Sequence, residues 1–465
     1  MEIRKLLEKL GHKNLLSSDW YSTIDLWLNW YGGKAKFHEY RIYNGQRFVP
    51  CTRKTLGMAK KVAEDKADLL LNEKVEITVA PKISSDKQST SNKYQEYLDT
   101  VLMANNFWVR GNQLVELANA LGTGAFVEFM DGEDVCIDYV PAPCIWPLRW
   151  SNGRIVDCAF ASRLSTGENE QTYLNRHVLE GGKYVVYNSL FDKEGKPLPL
   201  PEGVLPVWNT NSEMPLFQII TPNIVNNIDI ANPMGISVYA NSIDDLETID
   251  LAYDSFYNEF KLGRKRIFLK EDMVKMPDPK TGEQAPVFDP NDTVFYMLPG
   301  ETADKMLTES NMELRVEEHI RAIQTGLDIL SDKCGFGKGY YKFDADGVKT
   351  ATEVVSQNSK LFRRIKKDEI ILEKALTDLA RAVLFLGGKG TDVEISISFD
   401  DSIIEDTNAK ANRAMLERTA GIIDDVEYFM ATRDLEEKAA QELAEKIRAR
   451  RPEDLPPPDL FGGGA

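Results

Sequence analysis

The chain has 465 residues and a formal net charge of −17, with 73 acidic residues against 56 lysines and arginines. This length is enough for two to four domains with a sizeable core. The acidic balance argues against a protein that grips nucleic acid by neutralising phosphates over its whole surface, although it allows one past which nucleic acid slides.

Cysteine and histidine residues form no pattern that is typical of a metal site. The five cysteines are odd in number and lack C-x-x-C spacing, and the four histidines are scattered along the chain. We therefore predict no zinc site, no cofactor, and a reduced, intracellular history. Neither a membrane-spanning run nor a signal peptide is expected, because apolar runs are short and the first residues are charged.

The first 75 residues are predicted to be helical, with segments at 20–31 and 55–71 after a short amphipathic start. We interpret Trp20, Trp27 and Trp30 as a packing face. A short strand is then expected at 75–79, a polar loop at 81–92, and two helices up to about residue 121.

From residue 122 to about 222 the periodicity changes from helical to alternating, which predicts a block rich in strands. Glycine, asparagine and aspartate turns separate the predicted strands, which are 125–130, 135–140, 154–164, 173–179, 184–187 and 217–221.

A long acidic helix is predicted next, from about residue 238 to Gly263. Its polar face carries Asp244, Asp245, Glu247, Asp250, Asp254 and Glu259 against one base, Lys261. A compact insert follows at 264–300, in which strands at 266–270 and 293–298 bracket a loop rich in proline, aspartate and glycine. A further helix is predicted at 314–332.

The strongest helical signal runs from residue 350 to 386, a rod of roughly 55 Å at ~1.5 Å per residue. Thr350 and Glu353 form a predicted capping box, and Gly387-Gly388 a predicted C-cap. Asn358 and Glu369 interrupt its apolar stripe, and a cationic belt surrounds its middle, formed by Lys360, Arg363, Arg364, Lys366 and Lys367. Either a solvated face with a local kink, or a kinked helix facing charged neighbours or a water-filled channel, explains both features.

The last part of the chain begins with an alternating strand at 393–399, which is expected to rejoin the earlier sheet because it has no local partner. Helices are predicted at 406–419 and 424–448. Residues 452–465 are predicted to be a disordered tail, since they contain three consecutive prolines and three glycines.

Known catalytic motifs are absent from the sequence. Gly335-Phe-Gly-Lys-Gly resembles a phosphate-binding loop, but Lys338 is followed by Gly339 where that motif requires serine or threonine. There is no G-x-S-x-G nucleophile motif and no second histidine for a zinc protease. We therefore predict that the protein is not an enzyme.

Three stretches, taken with the order of the predicted elements, resemble the portal proteins (head–tail connectors) of tailed bacteriophages, in particular those of long-tailed phages of Gram-positive hosts. They are GTGAFVEF at 122–129, PMGISVYA at 233–240 with IDDLE at 243–247, and DGVKTATEV at 346–354. The resemblance covers nearly the whole chain and depends on the order and spacing of these stretches.

The resemblance implies an α+β portal fold with named regions along the chain. These are N-terminal helices and wing (1–237, with the sheet block 122–222), first stem helix (238–263), clip (264–306), second stem helix (307–333), tunnel-loop region (334–350), long kinked wing helix and returning strand (351–402), helical crown (403–450) and disordered tail (451–465).

Three groups of residues receive roles from the resemblance. The tunnel loop at the DNA channel comprises Lys338, Lys342, Asp344, Asp346, Gly347 and Lys349. The acidic stem wall comprises Asp244, Asp245, Glu247, Asp250 and Asp254. Docking at the clip is assigned to Lys275, Asp278 and Lys280. An acidic wall repeated around a ring lowers friction for a polyanion, while a few lysines make transient phosphate contacts.

The function implied by the resemblance is a ring, usually of twelve subunits, at one capsid vertex. It would be the channel for DNA packaging and ejection, with double-stranded DNA passing without sequence specificity. Its partners would be the terminase large subunit, a head-completion adaptor, tail proteins, and the major capsid and scaffold proteins. The expected location is the virion after assembly in the host cytoplasm, without any membrane, metal or catalytic residue.

Two alternatives to a portal remain open from the sequence. One is an intracellular α+β enzyme with an unrecognised active site in the sheet block. The other is a helical adaptor or scaffold protein in which residues 350–386 form a dimer seam and Asn358 sets the register.

Overall fold

The computed structural model describes residues 3–72, 74–81, 87–166, 169–263, 266–270, 275–277, 284–286, 295–298, 307–310, 313–343, 351–399, 414–419, 421–433, 435 and 437–448. The chain divides into two compact units, Met1–Val348 with Arg363–Phe399 and Lys349–Phe362 with Asp400–Ala465. Helices combined with mostly antiparallel strands confirm the predicted α+β class.

The helices of the first unit follow the predicted order. They are α1 (Ile3–Lys9), α2 (Ser18–Tyr31), α3 (Met58–Leu70), α4 (Lys87–Ala104), α5 (Phe107–Leu121), α6 (Ile243–Leu262), α7 (Val316–Lys333) and the larger part of α8 (Ala351–Leu386). The loop predicted at 81–92 is wrong in its second half, because α4 begins at Lys87. The acidic helix begins at Ile243 rather than 238, after a 3₁₀ turn at Ala240–Ser242.

The strands form several small sheets and one large one. They are β1 (Glu39–Tyr43), β2 (Phe48–Thr52), β3 (Glu76–Pro81), β4 (Gly124–Asp131), β5 (Asp134–Pro141), β6 (Ile145–Ser151), β7 (Arg154–Thr166), β8 (Asn169–Glu180), β9 (Lys183–Asp192), β10 (Pro197–Leu198), β11 (Val207–Asn209), β12 (Phe217–Ile220), β13 (Arg266–Lys270), β14 (Lys275–Pro277), β15 (Gln284–Pro286), β16 (Phe295–Leu298), β17 (Leu307–Ser310) and β18 (Val393–Ser398).

The N-terminal segment contains a β-hairpin where only helices were predicted. Strands β1 and β2 pair antiparallel, with Ile42 opposite Val49 and Tyr43 opposite Phe48. The expectation of a helical segment over 1–75 is therefore wrong for residues 39–52. The tryptophan prediction is confirmed, because the indole side chains of α2 are buried.

The largest sheet is an antiparallel meander of β6 to β10, with β11 added beside β9. Helices α1 and α2 cover one face: Leu6 and Leu7 join a buried cluster with Leu174. Tyr21 stacks on Trp146 with ring centroids 3.8 Å apart. This sheet thus obtains its own cover from the N-terminal helices.

The other sheets are small. Strand β4 lies between β12 and β5 in a three-stranded sheet, which together with the meander confirms the predicted block at 122–222. The prediction that the strand at 393–399 rejoins this block is wrong, since β18 pairs antiparallel with β3 instead. In the insert, β13 pairs in parallel with β16 and antiparallel with β17. The short strands β14 and β15 pair separately.

Helix α8 runs without interruption from Ala351 to Leu386, and its residues are divided between the two units. Within the first unit its apolar stripe is buried, as predicted, including Ile365, Leu376 and Val383 at 0 % exposure. The predicted C-cap is confirmed: Lys389 N–H donates to the Leu384 carbonyl and Gly388 N–H to that of Phe385, the two bonds of a Schellman motif. Glu369, predicted to break the stripe, is buried and lies 3.1 Å from Lys366.

The second unit is helical where it is described. Besides a helical segment at 414–419 it contains α9 (Asp425–Arg433) and α10 (Glu437–Arg448), so the single helix predicted over 424–448 is two helices. Phe429 packs against Ala440 and Ala444. Asp424 and Glu427 form a capping box at the start of α9. The tail predicted at 451–465 lies outside the described residues.

Candidate functional site

The helices predicted to form a stem, α6 and α7, pack side by side in opposite directions. Lys333 at the end of α7 lies 2.7 Å from Asp245 near the start of α6. Arg315, just before α7, lies 2.8 Å from Glu259 near the end of α6. Between these ion pairs the helices touch at Gly326, where a side chain would collide with the facing helix. The two helices therefore form one antiparallel hairpin that is tied at both ends.

The ion pairs of this hairpin are largely exposed on their cationic side. Arg315 donates three hydrogen bonds to Glu259, from its guanidinium and its backbone, and they hold the pKa of that carboxyl down to about 2. Solvent screens such pairs, so they fix the register of the helices more than they stabilise the fold.

The five carboxylates predicted to form an acidic stem wall lie in different environments. Asp250 and Asp254 are buried, with 3 % and 7 % exposure. Leu56 N–H donates to Asp250 Oδ1 at 2.8 Å, and Lys54 N–H donates to Asp254 Oδ1 at 2.9 Å. These two carboxylates hold the backbone between β2 and α3 against α6, and they do not lie on the surface of this chain.

A buried histidine completes this attachment. His38 Nε2 lies 2.8 Å from Asp250 Oδ2, and both side chains are at most 5 % exposed. Of the other predicted wall residues, Asp244 is exposed, Glu247 is partly exposed and Asp245 is ion-paired with α7. The accessible acidic charge of α6 is therefore concentrated in its first two turns.

The loop after α7 is described from Cys334 to Phe343. Of the residues predicted to form the tunnel loop, Lys338 and Lys342 are exposed. The others, Asp344, Asp346, Gly347 and Lys349, lie outside the described residues, as does Thr350 of the predicted capping box.

Two polar side chains of α7 fasten this loop. Gln324 Nε2 donates to the Tyr341 carbonyl at 3.0 Å, and Gln324 Oε1 accepts from Phe343 N–H at 2.8 Å. Ser331 accepts from the loop through both its carbonyl and its hydroxyl. Sequence reasoning missed Gln324 and Ser331, although two polar residues on the otherwise apolar side of an amphipathic helix were a usable signal.

A buried ion pair lies beneath the loop. Lys66 Nζ is 2.8 Å from Asp368 Oδ2 of α8, with the two side chains 1 % and 3 % exposed. Burial lowers the pKa of Lys66, and the nearby Asp368 opposes that shift. The ammonium also lies 5.7 Å from the ring of Phe336 in the loop. Asn223 N–H donates to Asp368 Oδ1 at 3.0 Å, so this carboxylate joins α3, α8 and the segment after β12.

The predicted docking residues of the insert are only partly described. Lys275 begins strand β14, whereas Asp278 and Lys280 lie outside the described residues. Their proposed role therefore stays a prediction.

Two of the stretches that carry the portal resemblance meet in space. Gly235 N–H donates to Thr123 Oγ1 at 3.1 Å, and Val238 N–H donates at 2.9 Å to the carbonyl of Asn119, which lies just before the first stretch. Gly122 and Gly235 face each other so closely that a side chain on either would collide with the carbonyl group of the other. This glycine crossing gives a physical reason for one glycine in each of the two stretches.

Features of other kinds of site are sparse in the part of the chain that the structure describes. There, no cluster of three His, Cys, Asp or Glu side chains is arranged to hold a metal ion. A cavity of about 20 Å³ lies beside Asp368, which is room for one water molecule. No described helix is long and apolar enough to cross a membrane.

Comparison with models of known protein families gives a match over most of the chain. A search of curated proteins finds no relative. The family model described as phage portal protein, SPP1 Gp6-like, matches residues 17–453. This family is structural rather than enzymatic, which argues against the enzyme alternative, and it implies a capsid-associated oligomeric ring in the virion. Since the match extends over nearly the whole chain, the protein belongs to the SPP1 Gp6-like family of phage portal proteins.

Proposed function

We propose that copies of this chain form a ring of about twelve subunits at one capsid vertex, through which double-stranded DNA enters during packaging and leaves at ejection. The observation that carries this proposal is the family match over residues 17–453. Within one subunit the long helices α6 and α7 pack against each other and are joined by ion pairs. Their remaining surfaces are available to neighbouring subunits, which suits a ring.

The first test is the assembly state of the purified chain. Negative-stain images and sedimentation should reveal closed rings at micromolar concentration and physiological salt. A monodisperse monomer under those conditions would contradict the proposal.

We place the channel wall on the start of α6 and on the loop after α7. Asp244 and Glu247 supply accessible negative charge, and Lys338 and Lys342 are exposed in the loop. An acidic surface with few lysines touches DNA only transiently, because it releases few counterions from the phosphates. The other predicted tunnel-loop residues, Asp344, Asp346, Gly347 and Lys349, belong to the same proposal.

The channel assignment is tested with charge reversal. Lys338→Glu and Lys342→Glu are compared with Lys183→Glu, an exposed lysine at the start of β9. Rings should form in all three variants. Nuclease-protected DNA per particle should fall several-fold only in the two loop variants, and more at low salt, where screening is weaker. Equal packaging by Lys342→Glu and Lys183→Glu would remove this loop from the channel.

We place the docking of the terminase large subunit on the insert at 264–306, through Lys275, Asp278 and Lys280, and later the docking of head-completion and tail proteins there. The other partners in the proposal are the major capsid and scaffold proteins, during assembly in the host cytoplasm. Deleting residues 276–282 should leave the chain folded but abolish its capture of terminase in a pull-down assay. Normal packaging by the deletion variant would overturn this assignment.

A further inference from the structure

The β1–β2 hairpin exposes large apolar side chains on both of its faces. Phe48 and Tyr43 are 66 % and 57 % exposed on one face, where their ring centroids lie 5.3 Å apart. Ile42 on the opposite face is 49 % exposed. A surface of this kind, rimmed by charge, is typical of a region that another molecule covers.

The hairpin is nevertheless built in one defined conformation. At its tip Gly45 has φ +91°, and Asn44 Oδ1 accepts from the backbone N–H groups of Gln46 and Arg47. A glycine with positive φ at the second turn position matches the twist that a two-stranded hairpin requires. The exposed side chains are therefore presented on a shaped element.

The base of the hairpin is fixed to the body of the first unit. Its anchors are the buried Asp250 and Asp254 of α6, which bind the segment directly after β2. Arg53 lies over the rings of Phe37 and Tyr40, at 4.5 and 4.4 Å from their centroids. With its base held by α6 and its tip held by Asn44, the hairpin presents its exposed side chains on a fixed backbone.

Strands β1 and β2 form a two-stranded sheet of their own. In the described residues no third strand pairs with β1 or β2. A two-stranded hairpin alone in water is only marginally stable, and its open edges invite pairing with another chain. The hairpin therefore needs a surface that a single subunit does not provide.

The charge of the segment indicates which surface that is. Residues 36–54 carry five cationic side chains, Lys36, Arg41, Arg47, Arg53 and Lys54, against the single acidic Glu39, in a chain whose net charge is −17. Arg41 and Arg47 are exposed and have no ion-pair partner among the described residues. A basic arm on an acidic protein is complementary to another copy of that protein.

DNA is the other polyanion that a basic hairpin suits. The observations favour protein, because the most exposed side chains of the hairpin are aromatic and aliphatic, whereas contacts to double-stranded DNA are predominantly polar.

We propose that the β1–β2 hairpin is an arm that docks on the neighbouring copy of this chain in the ring. The inference rests on the proposed function, since the ring supplies that neighbour. In a cyclic assembly each subunit presents two different surfaces to its two neighbours, and the hairpin is one of them. In the ring, its exposed apolar side chains are buried against the neighbour, and its arginines pair with that neighbour's carboxylates.

The test compares exposed apolar residues on and off the arm. Tyr43→Gln and Phe48→Gln alter the hairpin, and Met103→Gln alters α4, where the methionine is 80 % exposed. Mass photometry over a dilution series should show that both arm variants raise the concentration for half-assembly at least tenfold. Met103→Gln should assemble like the natural chain. The circular dichroism spectra of all three variants should match that of the natural subunit, as a control for folding.

The outcomes separate this inference from the proposed function. If the natural chain forms no rings, the proposed function fails. If it forms rings and both arm variants assemble equally well, the arm inference fails while the function stands.

A second measurement tests the inference without the glutamine variants and is decisive if these do not fold. A photo-crosslinking amino acid in place of Phe48 should yield covalent dimers and a ladder of higher species, with peptides joining residue 48 to another subunit. Crosslinks only to added DNA, or only within one chain, would overturn the proposal.

Discussion

The large meander of β6 to β11 and the small hairpin of β1 and β2 are both antiparallel and both rich in aromatic residues. In the meander, α1 and α2 follow each other directly in the chain and cover one face, so that Leu174 is completely buried. In the hairpin, by contrast, the rings of Tyr43 and Phe48 are mostly exposed to solvent. The difference teaches that this chain completes some of its surfaces by itself and leaves others for a neighbour.

The largest expected effect is in the meander. Leu174→Ala should destabilise the subunit by about 2–5 kcal/mol, because it removes a fully buried side chain and leaves a cavity that the packed sheet cannot close. The measurement is the urea midpoint of dilute protein. A shift as small as that of an exposed leucine, such as Leu205→Ala in a residue 59 % exposed, would mean that the meander is not covered as described.

A smaller effect should come from Glu128, whose carboxyl is buried in the three-stranded sheet. Burial raises its pKa from 4.5 to about 8, and Gln218 Nε2 donates to it at 3.2 Å. The folded state therefore holds a proton that the unfolded state loses above its own pKa.

This proton makes stability depend on pH. The contribution is fully present below about pH 4.5 and is lost as pH rises through about 8, at roughly 1 kcal/mol per pH unit. Glu128→Gln keeps the neutral form, so its stability relative to the natural chain should increase by about 3 kcal/mol between pH 5 and pH 8. Urea midpoints at the two pH values provide the check, and equal slopes in both proteins would contradict it.

At the hairpin tip the expected effect is local. Alanine at Gly45 would hold φ near +91°, which costs an L-residue about 1 kcal/mol. Hydrogen exchange of the Asn44 amide, which donates to the Arg47 carbonyl, should accelerate about fivefold, since 1 kcal/mol of local opening corresponds to that factor. The control is Gly132→Ala, the same substitution at a glycine of positive φ in a different turn, between β4 and β5. It should leave the exchange of the Asn44 amide unchanged. Unchanged exchange in Gly45→Ala would show that the tip is not preorganised.

The smallest effect on the isolated subunit should be that of Phe48→Gln. Because its ring is 66 % exposed, the urea midpoint should correspond to a change within about 0.5 kcal/mol. A loss of several kcal/mol would show that the ring packs within its own subunit, and the contrast with Leu174 would disappear.

Local patterns in the sequence predicted those parts of the fold that local patterns determine. The stripe and glycine cap of α8 follow from helical spacing, and most strands between 122 and 222 follow from alternation. The hairpin at 39–52 had its own signal, Asn44-Gly45 between alternating aromatic and β-branched residues, but the helices on either side were extended across it.

The sequence did not predict which elements pair when they lie far apart along the chain. Strand β18 finds β3 more than three hundred residues away, and no local feature of either strand identifies the other. Asp250 and Asp254 were predicted, from the portal resemblance, to belong to an acidic stem wall. Their burial depends on backbone N–H groups near residues 54–56, which only the folded chain brings to them.

The glycine crossing has a consequence for how such a sequence drifts over evolutionary time. Gly122 and Gly235 exclude each other's side chains, so neither can be replaced alone. A second replacement brings no compensation either, because it would place two β-carbons in a gap that does not admit one. Most contacts in a core can be rewritten by paired substitutions of large and small residues, but this one has no neighbouring solution. We therefore expect both glycines to persist in homologous chains whose surfaces have diverged beyond recognition.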